Sequence, residues 1–118
     1  MRPITRIHEM CELLRKANAP ILVTLQKVYG NYANDAILEV TDDDLLDYLS
    51  KCYETPLDVT ADPITNLEGL WTNYADLRLG QLIGNFITFT NPFAYYKEDE
   101  PACGELQALL KQMKNSLD

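Results

Sequence analysis

The sequence is short of the residue types from which most active sites are built. Among 118 residues there is one histidine, His8, and there are three cysteines. A single histidine cannot assemble a metal cluster, and on a helix it is far more often a surface or cap residue than a base. Cys11, Cys52 and Cys103 are odd in number and widely spaced, which excludes a disulfide framework and a zinc knuckle and reads as reduced thiols. Basic residues are also scarce: 10 Lys and Arg stand against 18 Asp and Glu, a net charge of −8. Nucleic-acid phosphates demand clustered Lys and Arg, so direct nucleic-acid binding is not expected. The longest apolar run, residues 79–89, is interrupted by Gly80, Gln81, Gly84 and Asn85 and falls well short of the ~20 residues of a membrane span. No apolar stretch with a small-residue cleavage site follows the basic residues of the N-terminus, so a cytoplasmic location is expected.

Glycine-rich phosphate loops, nucleophile elbows and Cys-His pairings are equally missing. Asp42-Asp43-Asp44 lacks the spacing and central glycine of a calcium loop, and three acids in a helix first turn are explained by the helix dipole. No catalytic residue, metal ligand or cofactor site is therefore assigned. What remains is ordinary globular composition, 47% hydrophobic and 24% charged, at the usual size of one domain.

The hydrophobic spacing is helical almost throughout. Ile4, Ile7, Met10, Cys11 and Leu14 mark a first helix over residues 3–17. Asn18-Ala19-Pro20 stops it and opens a second, carrying Ile21, Leu22, Leu25, Val28, Tyr29 and Tyr32. Residues 36–40 form a short apolar run, strand or connector, read here as connector. Thr41 with Asp42, Asp43 and Asp44 is a strong helix start, followed by Leu45, Leu46, Tyr48 and Leu49 as the buried face of helix three. Residues 55–61 are the one long loop. Asp62-Pro63 opens helix four, with Ile64, Leu67, Leu70, Trp71 and Tyr74 on one face. Asp76 is expected to cap a fifth helix through Phe86. An aromatic connector follows, and Glu98-Asp99-Glu100 with Pro101 starts a sixth helix whose stripe is Leu106, Leu109, Leu110, Met113 and Leu117. The expected fold is all-α, a compact bundle of about six short helices.

Shifting the sequence by 42 residues lays Leu25 to Asn34 over Leu67 to Asp76 with four identities. Each half then continues to an apolar or aromatic connector and an acidic helix start. This suggests two duplicated helix–connector–helix units, 20–53 and 62–117, although two amphipathic helices ending in aromatics also align over such a length.

The helix after Trp71 holds more than core residues. On a wheel of 100° per residue, Leu79, Leu82, Ile83 and Phe86 share one arc, Arg78, Gln81 and Asn85 a second, and Gly80 with Gly84 a third. Arg78, Gln81 and Asn85 form either an internal hydrogen-bonded tie to loop carbonyls or a contact stripe for a partner. The aromatic group Phe86, Phe89, Phe93, Tyr95 and Tyr96 is either core or a docking patch. Two acidic faces, Asp42, Asp43, Asp44 and Asp47 in one half and Glu98, Asp99 and Glu100 in the other, suit a basic partner.

The stretch from Leu70 to Asn85, with Pro92-Phe93 and Tyr95 to Glu100, resembles a pattern in small uncharacterised proteins of bacteria and their phages. In these a Trp is followed by a PDLRLGQLIxN run and then FYxEDEEL. The similarity spans residues 63–106 and implies a fold relation without a transferable activity. This chain departs from the pattern at Ala75, where proline is usual, and by insertions at Ala94 and at Pro101-Ala102-Cys103-Gly104. The leading expectation is a non-catalytic acidic helical protein acting by protein–protein interaction through Arg78, Gln81, Asn85, Phe93, Tyr95 and Tyr96. The alternative is a phage-type acidic inhibitor that mimics nucleic acid in the basic groove of a host enzyme such as a defence nuclease. A homodimer through the aromatic connector or the glycine arc is also expected.

Overall fold

Helix starts and stops in this chain follow from local chemistry. The computed structural model describes residues 3–29, 40–83 and 98–117, with the side chains of Gln26, Tyr29, Met113 and 115–117 left aside. Among the described residues there are six helices and no strand: α1 (Ile4–Ala17), α2 (Ile21–Tyr29), α3 (Asp42–Cys52), α4 (Pro63–Asn73), α5 (Leu79–Ile83) and α6 (Asp99–Leu117). The fold is all-α. Its radius of gyration is 13.5 Å, in line with the roughly 13–14 Å of a packed chain of this length.

Helix α1 ends where Asn18 turns left-handed (φ 49°, ψ 44°) and donates its N–H to the Arg15 carbonyl, with Arg15 and Lys16 set against the negative end of the dipole. Helix α3 opens on Thr41, whose hydroxyl accepts the Asp44 N–H at 3.1 Å. Helix α4 opens on Asp62, which accepts the Thr65 N–H at 3.2 Å, with Pro63 in the first turn. Both starts match the sequence expectation.

Helix α1 is the central element, packing against α4, α6 and α2; α2 also meets α6, and α3 meets α4. Neighbours on several sides explain why α1 buries a broad set of residues, Ile7, Met10, Cys11, Leu13, Leu14 and Ala17. The same core takes Ile21, Leu22, Leu25 and Val28 of α2, Leu45, Leu46 and Leu49 of α3, and Leu67, Leu70 and Trp71 of α4. Trp71 is fully buried, and its indole N–H is satisfied by the Leu77 carbonyl at 2.9 Å.

Three local expectations are corrected. Tyr48 is 40% exposed, because the arc holding Leu45, Leu46 and Leu49 is already complete and Tyr48 falls about 60° outside it. Ile4, expected on the buried face of α1, is 62% exposed. The fifth helix does not begin at Asp76. Residues 74–77 form a turn, with the Leu77 N–H on the Tyr74 carbonyl at 3.0 Å, and α5 opens only at Leu79. That turn brings the Leu77 carbonyl to the Trp71 indole, so the demand of a buried donor outweighs continued helix.

Among the described side chains of α6, which exclude Met113 and Leu117 of the expected stripe, burial is concentrated towards the N-terminus. Ala102, Cys103 and Leu106 are buried, whereas Leu109 and Leu110 are half-buried. The continuation of the expected fifth helix through Gly84, Asn85 and Phe86, the run 36–39 and the aromatic group from Phe89 to Tyr96 lie outside the described residues. So does the path after Tyr32 on which the duplication rests. Among the described residues, no helix is long and apolar enough to cross a membrane.

Gly69 in α4 and Gly104 in α6 are exposed, and an added Cβ would meet nothing within 4 Å at either. Alanine there removes the entropic handicap of glycine without steric conflict. Gly69→Ala and Gly104→Ala should each raise the unfolding free energy by roughly 0.5–1 kcal/mol, read as a higher urea midpoint at unchanged slope.

Candidate functional site

Every helix begins with N–H groups that need acceptors. Helices α3 and α4 supply their own through Thr41 and Asp62. Helices α2 and α5 follow Pro20 and Arg78, whose side chains carry no acceptor, and here the acceptor comes from another helix. Asp42, the first residue of α3, accepts the Ile21 N–H at 2.7 Å. Asp99, the first residue of α6, accepts the Leu79 N–H at 3.2 Å in a buried setting. The two acidic helix starts thus each lend one carboxylate across the fold.

The sequence-predicted contact residues are distributed accordingly. The Gln81 side-chain oxygen accepts the Arg78 N–H at 2.9 Å, the reach-back half of a capping box. The Arg78 guanidinium donates to one oxygen of Glu98 from Nε at 2.8 Å and from Nη2 at 2.6 Å. Its pKa is raised above the usual arginine value, first by this hydrogen bond and further by the charges of Glu98 and Asp99. Arg78 therefore ties α5 to the start of α6 through the Glu98 carboxylate, and Gln81 closes the start of α5 itself. Gly80 is buried within the fold and presents no surface for a second copy. Asn85, Phe93, Tyr95 and Tyr96 lie outside the described residues.

The two acidic faces are unlike each other. Around α6, Asp99 is only 4% exposed, Glu98 is bound to Arg78, and Glu100 is exposed. On α3, Asp42 is half-buried beneath Ile21, Asp47 pairs with Lys51 at 3.0 Å, and Asp43 and Asp44 are exposed. Both faces border a groove; the one at the α6 face, about 520 Å³, is lined by Glu98, Asp99 and Glu100 together with Pro3, Arg6 and Pro101, so a basic side chain already lies among its acids. A groove of about 410 Å³ runs between α3 and the 55–61 loop. Asp43, Asp44 and Asp47 line one side, Asp58, Val59 and Asn66 the other, and Leu46, Leu57, Ala61 and Pro63 add apolar surface.

The loop is a fixed part of that groove. The Asp58 carbonyl accepts the Ala61 N–H at 3.1 Å, closing a turn, and the Asp58 side chain accepts from the Thr60 N–H at 2.9 Å and the Thr60 hydroxyl at 2.6 Å. Asn66 of α4 clamps the same residue from below, accepting the Asp58 N–H at 2.9 Å and donating to its carbonyl at 3.1 Å. Val59, at the tip of this turn, is 95% exposed. Sequence reasoning marked these residues only as a loop. The signals that could have found them are Asp58 two residues before Thr60, an Asx-turn pattern, and a valine where turns normally carry polar residues.

The other chemistry-bearing side chains are engaged in structure. His8 Nδ1 lies 2.8 Å from a Glu68 oxygen on the surface. Cys11 and Cys103 are buried and Cys52 is exposed, all three free. Burial, reinforced by the Glu68 charge, pushes the Cys11 thiol up to about 12, and burial followed by the hydrogen bond to Glu9 raises Cys103. Neither thiol is the thiolate that nucleophilic or redox chemistry requires. Among the described residues no three His, Cys, Asp or Glu are grouped to hold a metal ion. No family model matches the chain, and comparison with curated proteins and with solved structures finds no match for it.

Asp58 and Asp62 both have pKa values below the usual 3.8, Asp58 through its hydrogen bonds from Thr60 and Asp62 chiefly through that from the Thr65 hydroxyl, with Arg15 helping. The unfolded chain therefore binds their protons more readily than the fold does. Their contribution to stability is complete above 3.8 and is lost as pH falls through the lower folded values. The urea midpoint of the wild type should fall on titration from pH 6 towards pH 2.5, and more steeply than that of Asp62→Asn. A second contrast separates the buried carboxylate from the surface pair. Asp99→Ala should cost about 1–3 kcal/mol, because it strands a buried N–H, whereas Arg78→Ala should lower the melting temperature only slightly.

Proposed function

We propose that this protein is a non-catalytic, acidic helical binding protein of the cytoplasm, acting through contact with another protein at the groove between α3 and the 55–61 loop. The observation that carries the reading is Val59, 95% exposed at the tip of a turn pinned by Asn66. A large apolar side chain held rigidly in water gains nothing for the fold. Against a partner it buries apolar surface with little ordering cost, because the turn is already formed. Asp43 and Asp44 beside it supply a charged rim of the kind that steers encounter and selects partners.

The contact face is read here as α3 and the loop, since Arg78 is occupied in tying α5 to α6 and Gln81 in capping the start of α5. The fold relation implied by the resemblance over residues 63–106 is compatible with this reading, and it supplies no activity. The acidic-mimic alternative draws less support. It needs carboxylates presented in rows, whereas Asp42 and Asp99 are engaged with helix N-termini and Glu98 with Arg78.

The test is quantitative affinity purification from the native cell with wild-type, Val59→Asp and Arg78→Ala baits, each first shown to be folded by circular dichroism. A partner retained by Arg78→Ala and reduced at least tenfold by Val59→Asp is the expected result. Recovery of no specific partner by the wild type would sink the binding reading, and loss confined to Arg78→Ala would move the site back to the α5–α6 junction.

A further inference from the structure

The groove also indicates what kind of surface it receives. We infer that its occupant is a short basic amphipathic segment of the partner, with an apolar face on Leu57 and Val59 and Lys or Arg side chains against Asp43 and Asp44. This rests on the binding function proposed above and specifies the partner's chemistry.

Charge complementarity selects the occupant. The groove presents carboxylates from α3 along one side and Asp58 on the other, on a chain of net charge −8. A second copy of this chain would bring like charge to like charge, and a nucleic acid would bring phosphates to carboxylates. A purely apolar segment would leave Asp43 and Asp44 facing a dry contact without counter-charges, which costs more than the apolar burial returns. A segment with basic residues flanking an apolar stripe satisfies both surfaces. The geometry fits a short segment, because the groove holds about 410 Å³ and its apolar surface centres on one protruding valine beside half-buried Leu57.

Valine at the tip makes the inference separable from diffuse attraction between an acidic protein and any cation. Replacing Val59 by aspartate makes the protein more negative, so diffuse attraction would strengthen, whereas docking in the groove would weaken. The probe is a fluorescein-labelled 16-residue peptide of Lys and Leu with leucines at helical spacing, titrated with the full chain at 150 mM salt and followed by anisotropy. Two controls are a scramble of the same composition without an apolar face and a version with Glu for Lys.

The expected result is saturable binding of the amphipathic Lys/Leu peptide. It should weaken at least tenfold with Val59→Asp, at least tenfold with the scramble and several-fold with the double variant Asp43→Asn, Asp44→Asn, and it should be lost with the Glu version. Val59→Ala, which keeps the turn, should lie between wild type and Val59→Asp. Equal or tighter binding by Val59→Asp, equal binding of the scramble, or no binding of the Lys/Leu peptide would each overturn the inference. A native partner that Val59→Asp still captures, together with a peptide insensitive to that change, would remove the groove and leave protein binding itself standing.

Discussion

The backbone N–H groups at the start of a helix have to be satisfied, and among the described helices two draw an acceptor from the side chain of another helix. Pro20 and Arg78 offer no side-chain acceptor to α2 and α5, so Asp42 and Asp99 supply it from α3 and α6. Each of these aspartates also sits at the positive end of its own helix dipole, where a carboxylate is favoured on electrostatic grounds. One charge therefore serves two helix starts. That double service fixes where α3 lies relative to α2 and where α6 lies relative to α5. The hydrophobic core, which is not directional, fills in around those fixed points.

The same constraint sorts the acidic residues. Carboxylates that cap or pair are committed to contacts within the fold, and those that do neither are left to face water or a partner. A single acidic tripeptide is thereby divided: Asp42 is committed to the fold, while Asp43 and Asp44 look into the groove. The division at 98–100 is more complete, with Glu98 and Asp99 both engaged and Glu100 exposed.

What could be read from the sequence was whatever depends on near neighbours. The starts at Thr41 and Asp62, the stop at Asn18 and the apolar arcs of α1, α3 and α4 all involve contacts within one or two turns, and they were legible. The shared caps that were missed have a longer reach. Asp42 and Ile21 are joined across 21 positions, and Asp99 and Leu79 across 20, so no local pattern indicates that these acids are caps for other helices. Asp76 looked like a cap because its own neighbourhood permits it, but the buried Trp71 indole required the Leu77 carbonyl and a turn displaced the helix start. Tyr48 looked like core because aromatic residues usually are, and only its angle from three adjacent leucines puts it outside. The groove was invisible for the same reason, since it forms from a helix face and a loop brought together by Asn66.

The described part of helix α5, Leu79–Ile83, makes hydrogen bonds with two other elements. Asp99 of α6 holds its first N–H, and the Tyr53 hydroxyl, beyond the end of α3, donates to its Leu82 carbonyl at 2.7 Å. Tyr53 is in turn packed against Tyr74, the rings tilted with centroids 4.8 Å apart, and receives the Tyr74 hydroxyl on its own carbonyl. A turn anchored by other elements at both Leu79 and Leu82 has no private route to opening. Its amide protons would exchange with solvent only when α6 or the end of α3 lets go, so this turn would share the protection of its larger neighbours and belong to their cooperative unit.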